Sequence, residues 1–193
     1  MNPEQFDDWC RRLKLSEEAV REIQRIRSSP PARRVRSGPY NMAGRFNRSN
    51  KMDHTIQFES RTVEYPAILT MEDDKHVLEM WDQPPSFVVR YKTVGGRNIG
   101  HLYTADFFVL RDDCAGWEEW KTEQELIKLG EKNPTKYCRD EDGTWHFLPG
   151  EEYARPFGLY FRVCSSAQIN WTLVRNFKLL KPYIDDLEGG YEQ

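Results

Sequence analysis

A mixed α/β fold, with one sheet flanked by helices, is the architecture this sequence predicts. Three observations carry it: strand-like runs follow one another between residues 87 and 121, a helix-capping pattern opens directly after the last of them, and a further apolar run at 157–164 leads into another helical pattern. A chain of 193 residues has room for one domain core with appendages.

Taken in order, residues 3–27 place Phe6, Trp9, Leu13, Val20, Ile23 and Ile26 at helical spacing. The pattern breaks near Leu15-Ser16-Glu17, where Ser16 can cap a second helix. Pro30-Pro31 stops that helix, and no period is evident from there to about residue 53. Residues 55–60 alternate as a short strand. Val63, Ala67, Ile68, Met71, Val77 and Leu78 then suit a helix with one apolar face. Pro66 is tolerated only in its first turn, which puts Glu64 at the positive helix end. After the break at Gln83-Pro84-Pro85 come FVVRYKTV, a Gly95-Gly96 turn, GHLYTADFFVLR, a turn at 112–116 and WEEWK, which read as an antiparallel meander. Thr122 with Glu125 forms a capping box, so the last strand delivers Lys121 to the start of a helix, TEQELIKLGEK. A charged loop at 139–151 precedes the strand FGLYFRVC. Ser165 or Ser166 caps a final helix through Ile169, Leu173, Val174, Phe177 and Leu180, ending before Pro182.

Composition narrows the function. Charged residues make up 31% and aromatic residues 13%, with six Trp, so the chain is polar yet has aromatic side chains to bury. No apolar run approaches the ~20 residues that cross a bilayer, and the first residues lack a signal-peptide core, which gives the expectation of an intracellular, cytoplasmic protein without a membrane partner. Cys10, Cys114, Cys138 and Cys164 are far apart and share no zinc spacing with the four His. The formal net charge of −3 excludes a uniformly basic nucleic-acid coat. Yet residues 30–52 contain no acid, and Arg33, Arg34, Arg36, Arg45, Arg48 and Lys51 fall there among Pro, Gly, Ser and Asn. That stretch is either a basic arm that meets phosphate or a solvated linker.

The chemistry concentrates in the meander. Glu119 and Lys121 share one face of a strand while Glu118 and Trp120 share the other. If the hairpin brings Asp106 opposite Glu119, two carboxylates and an ammonium converge, with Glu64 reachable from the preceding helix. Oxygen ligands of this kind suit Mg2+, which takes one or two carboxylates and keeps several waters. The plain alternative is a turn-forming Asp106 beside a weak surface pair of Glu119 and Lys121, worth roughly 0–1 kcal/mol. His101 is the one histidine placed to approach this region, and Gly95-Gly96, with no helix after it, is a hairpin turn rather than a phosphate loop.

At residues 55–183 the chain resembles a known family. FESRTVEYPAILTMEDDKHVLEMWDQPP followed by ADFFVLRDDCAGWEEWKT is similar to the catalytic domain of TnsA, the endonuclease subunit of heteromeric, Tn-seven-like transposases and a restriction-endonuclease-like PD-(D/E)-x-K nuclease. The family's ordered pattern is a helix Glu, a Gln-Pro, an Asp-Phe and a Glu-x-Lys strand. Glu64, Gln83-Pro84, Asp106-Phe107 and Glu119-Trp120-Lys121 occupy those places, and the likeness continues through FGLYFRVCSS and Asn176-Phe177-Lys178-Leu179-Leu180. Ala105 departs from the Pro often found before the Asp, and with only 72 residues after Lys121 a separate regulator-binding domain is not expected among them.

The resemblance implies a restriction-endonuclease-like sheet over residues 54–184, preceded by N-terminal helices and a basic arm (1–53) and followed by an acidic tail (185–193). It implies a metal-dependent DNA endonuclease that cuts the 5′ strands at transposon ends, leaving 5′-phosphate and 3′-hydroxyl, in a prokaryotic, nucleoid-associated setting. Glu64, Asp106 and Glu119 would hold Mg2+, with Mn2+ as a substitute, Lys121 would serve the attacking water, and Gln83 would support the site. Arg33, Arg34, Arg36, Arg45, Arg48 and Lys51 would hold double-stranded DNA. The partners implied are a DDE-type transposase, which could also be fused beyond Gln193, and an AAA+ ATPase regulator. Two other readings stay open, a stand-alone restriction or repair nuclease and a non-catalytic recruiting module.

Overall fold

The structure, a computed structural model, describes residues 1–33, 43–47 and 49–189, with side chains through residue 180. Arg34, Arg36 and Arg48 of the basic stretch therefore lie outside the described residues. The chain is a mixed α/β protein, with six α-helices among the described residues and a mixed central sheet.

Local chemistry explains the first elements. Helix α1 (Pro3–Leu13) begins with an Asn2–Gln5 capping box and Pro at its first position, and ends at Lys14 in the left-handed region. Ser16 caps α2 (Glu17–Ser28) by accepting from the Ala19 amide, as its sequence position predicts. Within the stretch that shows no period, β1 (Gly44–Phe46) pairs antiparallel with β2 (Ile56–Phe58). A three-residue strand is too short to leave a period in sequence.

Helix α3 (Glu64–Asp73) starts where expected, with Pro66 in its first turn. It does not extend to Leu78. Asp74 closes it, and Val77–Asp82 forms β3, whose bulge between Val77 and Glu79 breaks the alternation that would have marked a strand. The expected meander is also divided. Strands β4 (Phe87–Lys92) and β5 (Asn98–Tyr103) form a separate hairpin, and the chain then passes through Thr104-Ala105 into β6 (Phe107–Arg111) and β7 (Ala115–Lys121). The break arises because β6 and β7 are buried on both faces, whereas β4 and β5 alternate between buried or half-buried and exposed positions.

Beyond β7, the Thr122–Glu125 capping box opens α4 (Glu123–Lys132). The charged stretch read as a loop contains a short pair, β8 (Tyr137–Arg139) with β9 (Trp145–Phe147), and then α5 (Leu148–Ala154). Buried Tyr137, Trp145 and Phe147 hold it to the core despite its polar sequence. Strand β10 (Tyr160–Ser165) follows. Ser165 caps a short 3-10 turn, and the cap of α6 (Trp171–Gly189) is Asn170, whose side chain accepts from the Leu173 amide. Helix α6 runs through Pro182 instead of ending before it. A proline removes one amide donor, but its φ fits the helix, so the flanking turns can continue.

The central sheet has the order β10-β7-β6-β3, with β10 parallel to β7 and the other pairs antiparallel. One face packs Phe108, Leu110, Trp117, Phe161 and Phe147 against Phe6, Trp9, Ile23 and Ile26 of α1 and α2. The other packs Phe107, Val109, Trp120 and Cys164 against α3, α6 and β2 through Ile68, Val174 and Ile56. Alternate residues of β6 thus feed two cores. Gly116 permits the parallel pairing, since a Cβ there would lie 2.0 Å from the Tyr160 carbonyl oxygen. Beneath α1, the amino group of Met1 donates to Glu79 Oε1 at 2.6 Å and Arg27 donates to both Glu79 oxygens at 2.8 Å, a buried cluster that ties the N-terminal helices to β3.

Candidate active site

The four acidic and basic side chains singled out in sequence come from three elements. Glu64 is the first residue of α3, Asp106 directly precedes β6, and Glu119 and Lys121 end β7. The register Phe107 to Glu118 sets Asp106 alongside Glu119 at the open end of the β6–β7 pair, and the Trp120 amide donates to Asp106 Oδ2 at 2.8 Å. Lys121 Nζ donates to Glu119 Oε1. The Glu59 amide donates to Glu64 Oε2 at 2.8 Å, turning that carboxylate toward the cluster.

The electrostatics follow from crowding negative charge under poor hydration. Burial is the largest cause raising Asp106 well above the usual carboxylate range, and the charges of Glu119 and Glu64 add to it while Lys121 opposes it. Burial likewise lifts Glu64 to about 7, with Glu59 and Glu119 adding and the Glu59 amide and Arg33 opposing. Lys121 is pushed above its ordinary value by Glu119 and Asp106 in spite of its own burial, and so it stays an ammonium. The arrangement holds more carboxylate than its one lysine neutralises.

Glu119 Oε2 and the Tyr103 hydroxyl are both buried and make no well-formed hydrogen bond, yet they lie close enough that the Glu119 side chain reinforces burial in raising the Tyr103 pKa by its charge and by weak hydrogen bonding. A buried carboxylate oxygen without a well-formed hydrogen bond, beside the raised carboxyls of Glu64 and Asp106, is what a divalent-cation ligand looks like, and the all-oxygen donor set fits Mg2+. Among the described residues no three His, Cys, Asp or Glu side chains already stand at metal-holding distances. Glu64, Asp106 and Glu119 would therefore have to close on the ion, and Lys121 would have to yield part of its hold on Glu119.

Gln83 sits behind this cluster in a strained position. It is buried with φ 46, in the left-handed region that costs a non-glycine residue roughly 1–2 kcal/mol. Its amide donates to the Asp106 carbonyl at 2.9 Å, its carbonyl accepts from the Ala32 amide at 2.8 Å, and its side-chain oxygen accepts from Arg33 Nε at 2.5 Å. Gln83 thus positions the backbone of Asp106, and Arg33, which also pairs with Glu59 at 3.2 Å, is drawn in from the basic stretch to the edge of the acidic cluster.

The rest of that stretch divides. Lys51 is not a phosphate-facing residue, because its Nζ donates to the carbonyls of Asp74 and Val77, closing the end of α3. Arg45 is exposed on β1 and lines a cavity of about 670 Å³ with His54, Trp81 and Asp82. His101 does not join the carboxylates. It lies on β5 between the rings of Tyr91 and Tyr103.

Sequence reasoning missed Tyr103, Tyr137 and Lys136. The Lys136 ammonium lies over the rings of Tyr91, Phe147 and Tyr137 at 4.8, 5.6 and 5.9 Å, near enough to the site to feel both Glu119 and Lys121, and burial lowers its pKa. Nothing in its sequence neighbourhood distinguishes it, since the contact depends on the β8–β9 pair. No family model matches the chain, and no curated protein matches it.

Proposed function

We propose that this protein is a metal-dependent DNA endonuclease with a restriction-endonuclease-like sheet, of the kind that cuts 5′ strands at transposon ends beside a DDE-type transposase. The observation that carries the reading is the convergence of Glu64, Asp106, Glu119 and Lys121 from separate elements at one sheet end, with a buried Glu119 oxygen that makes no well-formed hydrogen bond. Folding does not require it, since ionising the buried Glu64 and Asp106 costs stability. The family pattern Glu, Gln-Pro, Asp-Phe and Glu-x-Lys supplies the transposon context and the transposase and AAA+ ATPase partners.

Glu64, Asp106 and Glu119 would hold Mg2+, or Mn2+ in its place, and a bound ion of this kind lowers the pKa of its water and offsets charge on the phosphodiester oxygens. The remaining roles belong to side chains. Lys121, kept protonated by Glu119 and Asp106, aims an ammonium at the attacking water and the phosphate oxygen rather than accepting a proton. Asp106 is held by the Trp120 amide, so its free oxygen keeps one direction. Gln83 and Arg33 fix the Asp106 backbone and the outer edge of the cluster.

The test is cleavage of a labelled duplex carrying transposon ends, with magnesium or manganese, by this chain alone and with the neighbouring transposase. Cutting at the 5′ ends that is lost by ~100-fold or more in Asp106→Ala and Lys121→Ala is expected. Wild-type cleavage by either variant would end the proposal. Cutting by the chain alone would assign a stand-alone nuclease, and binding without cutting under any condition a recruiting module.

A further inference from the structure

Apart from Tyr103 at its base, the β4–β5 hairpin takes no part in the catalytic chemistry, yet its make-up is unlike the rest of the protein. From Gln83 to Ala105 there is no acidic residue, although the whole chain carries a net charge of −3, and the hairpin contains Arg90, Lys92 and Arg97. Its two faces differ sharply. Phe87, Val89 and Tyr103 point inward, with Phe87 stacked on Tyr153 at 3.8 Å and Tyr103 on Phe147 at 4.7 Å. The outward face pairs Val88 with Leu102, Arg90 with Gly100 and Lys92 with Asn98, and all six are exposed. Val94, at the tip, is 77% exposed and Leu102 is 71% exposed. The inner face is thus anchored, and the outer face is a flat, cationic, partly apolar ribbon.

Gly100 sharpens the point. Its φ is not in the left-handed region, and a Cβ there would meet Arg90, Val88 and the Val89 carbonyl only at an ordinary 3.8 Å. Neither turn geometry nor packing requires a glycine at the centre of the ribbon. Its effect is to leave the middle of the outer face without a side chain, open to close approach by another surface.

We propose that this hairpin is a DNA-contacting ribbon that lies along a groove of the duplex, with Arg90, Lys92 and Arg97 on phosphates. A two-stranded ribbon fits the major groove, about 12 Å wide, and two strand cations, Arg90 and Lys92, with Arg97 in the turn and no acid on the hairpin, match a polyanion rather than a protein surface of mixed charge. The placement suits a substrate cut at the sheet end. The base of the ribbon, where the Ser86 and Thr104 hydroxyls meet at 2.7 Å, leads directly through Ala105 to Asp106, and Tyr103 borders Glu119. Six-residue strands reach ~20 Å from that base, about six base pairs to one side of the scissile phosphate. The groove between ribbon and α5, about 780 Å³, carries one acid, Glu152, which sets the limit of the cationic face on that side. The inference deepens the nuclease reading, and it rests on that reading only for the position of the cut.

The experiment measures binding and cutting separately on the full chain, with a fluorescein-labelled duplex titrated by anisotropy over a range of salt. Wild type is compared with Arg90→Ala/Lys92→Ala/Arg97→Ala, with the charge-keeping Arg90→Lys/Arg97→Lys, and with Gly100→Val, all checked for thermal stability. The triple variant is expected to lose about tenfold or more in affinity, with a salt slope smaller by up to about 3, since each phosphate contact contributes about 0.9. The charge-keeping variant is expected to bind as wild type does, and Gly100→Val to bind several-fold more weakly without loss of stability. Unchanged affinity and slope in the triple variant would overturn the ribbon, as would failure of wild type to bind duplex. If the triple variant binds normally while magnesium-dependent cleavage persists, the ribbon fails and the nuclease stands. If the ribbon variants lose binding while wild type never cuts, the nuclease reading fails and the ribbon stands.

Discussion

Replacing Glu64 by Gln separates what the site needs for folding from what it needs for chemistry. Glu64 is 7% exposed, and its carboxyl titrates at about 7 instead of 4.5, chiefly because burial strips it of water. A group whose folded pKa is raised holds its proton more tightly in the folded chain than in the unfolded one. The folded state therefore loses stability as pH rises from about 4.5 through 7. Each unit is worth about 1.4 kcal/mol, so the fully ionised carboxylate costs on the order of 3 kcal/mol near pH 8. Gln is nearly the same size and keeps an acceptor for the Glu59 amide, but carries no charge. The variant should be more stable than wild type, by a margin that grows about 2 kcal/mol between about pH 5 and about pH 8. Urea unfolding followed by fluorescence of the six Trp measures this. The reasoning would be refuted if Glu64→Gln were less stable than wild type near pH 8, or if the margin did not change with pH. A variant that gains stability and loses cleavage is the signature of a residue kept for function.

Three further outcomes follow from the packing. Arg27→Ala leaves the buried Glu79 with the Met1 amino group as its cationic partner and the Trp81 indole N–H as a neutral donor, at a cost of ~3–5 kcal/mol, measured by thermal or urea unfolding. Arg27 and that amino group hold the Glu79 pKa below its usual value against the effect of burial. The stability this provides is present above the unfolded carboxyl pKa and is lost as pH falls through the folded one, so the acid-unfolding limb of wild type should flatten in Arg27→Ala. Gly116→Ala forces a Cβ against the Tyr160 carbonyl and should cost ~1–3 kcal/mol or more, while Gly100→Ala, with open contacts, should cost less than ~1 kcal/mol. Lys51→Met takes the charged donor from the carbonyls of Asp74, which keeps the Val77 amide, and Val77, so it should lower stability by ~1–3 kcal/mol and leave duplex affinity unchanged, whereas loss of affinity with full stability would return Lys51 to the DNA-binding set.

Much of the local structure was legible in the residues. Ser16, the Thr122–Glu125 box and Pro66 marked helix starts because caps and prolines act within a few residues of themselves. The alternation of Phe87 to Lys92 and the Gly95-Gly96 turn marked a hairpin for the same reason. Elements whose pattern is disturbed or very short escaped. The bulge in β3 hid a strand at the end of an apparent helix, and β1, β8 and β9 are three residues each.

For the site, the sequence by itself determined which residue types could meet, because the alternation of a strand put Glu119 and Lys121 on one face and Glu118 and Trp120 on the other. Tertiary structure decided which environments they met in. The β6–β7 register set Asp106 beside Glu119, the fold of α3 onto the sheet brought Glu64 to them, and burial made the carboxyls of Glu64 and Asp106 reluctant to ionise. It also took Lys51 away to the end of α3 and drew Lys136 and Tyr103 to the site. The division has a physical cause. Alternation, capping and turn preference are short-range properties of the chain, whereas desolvation and charge coupling depend on which distant segments exclude water from the same place.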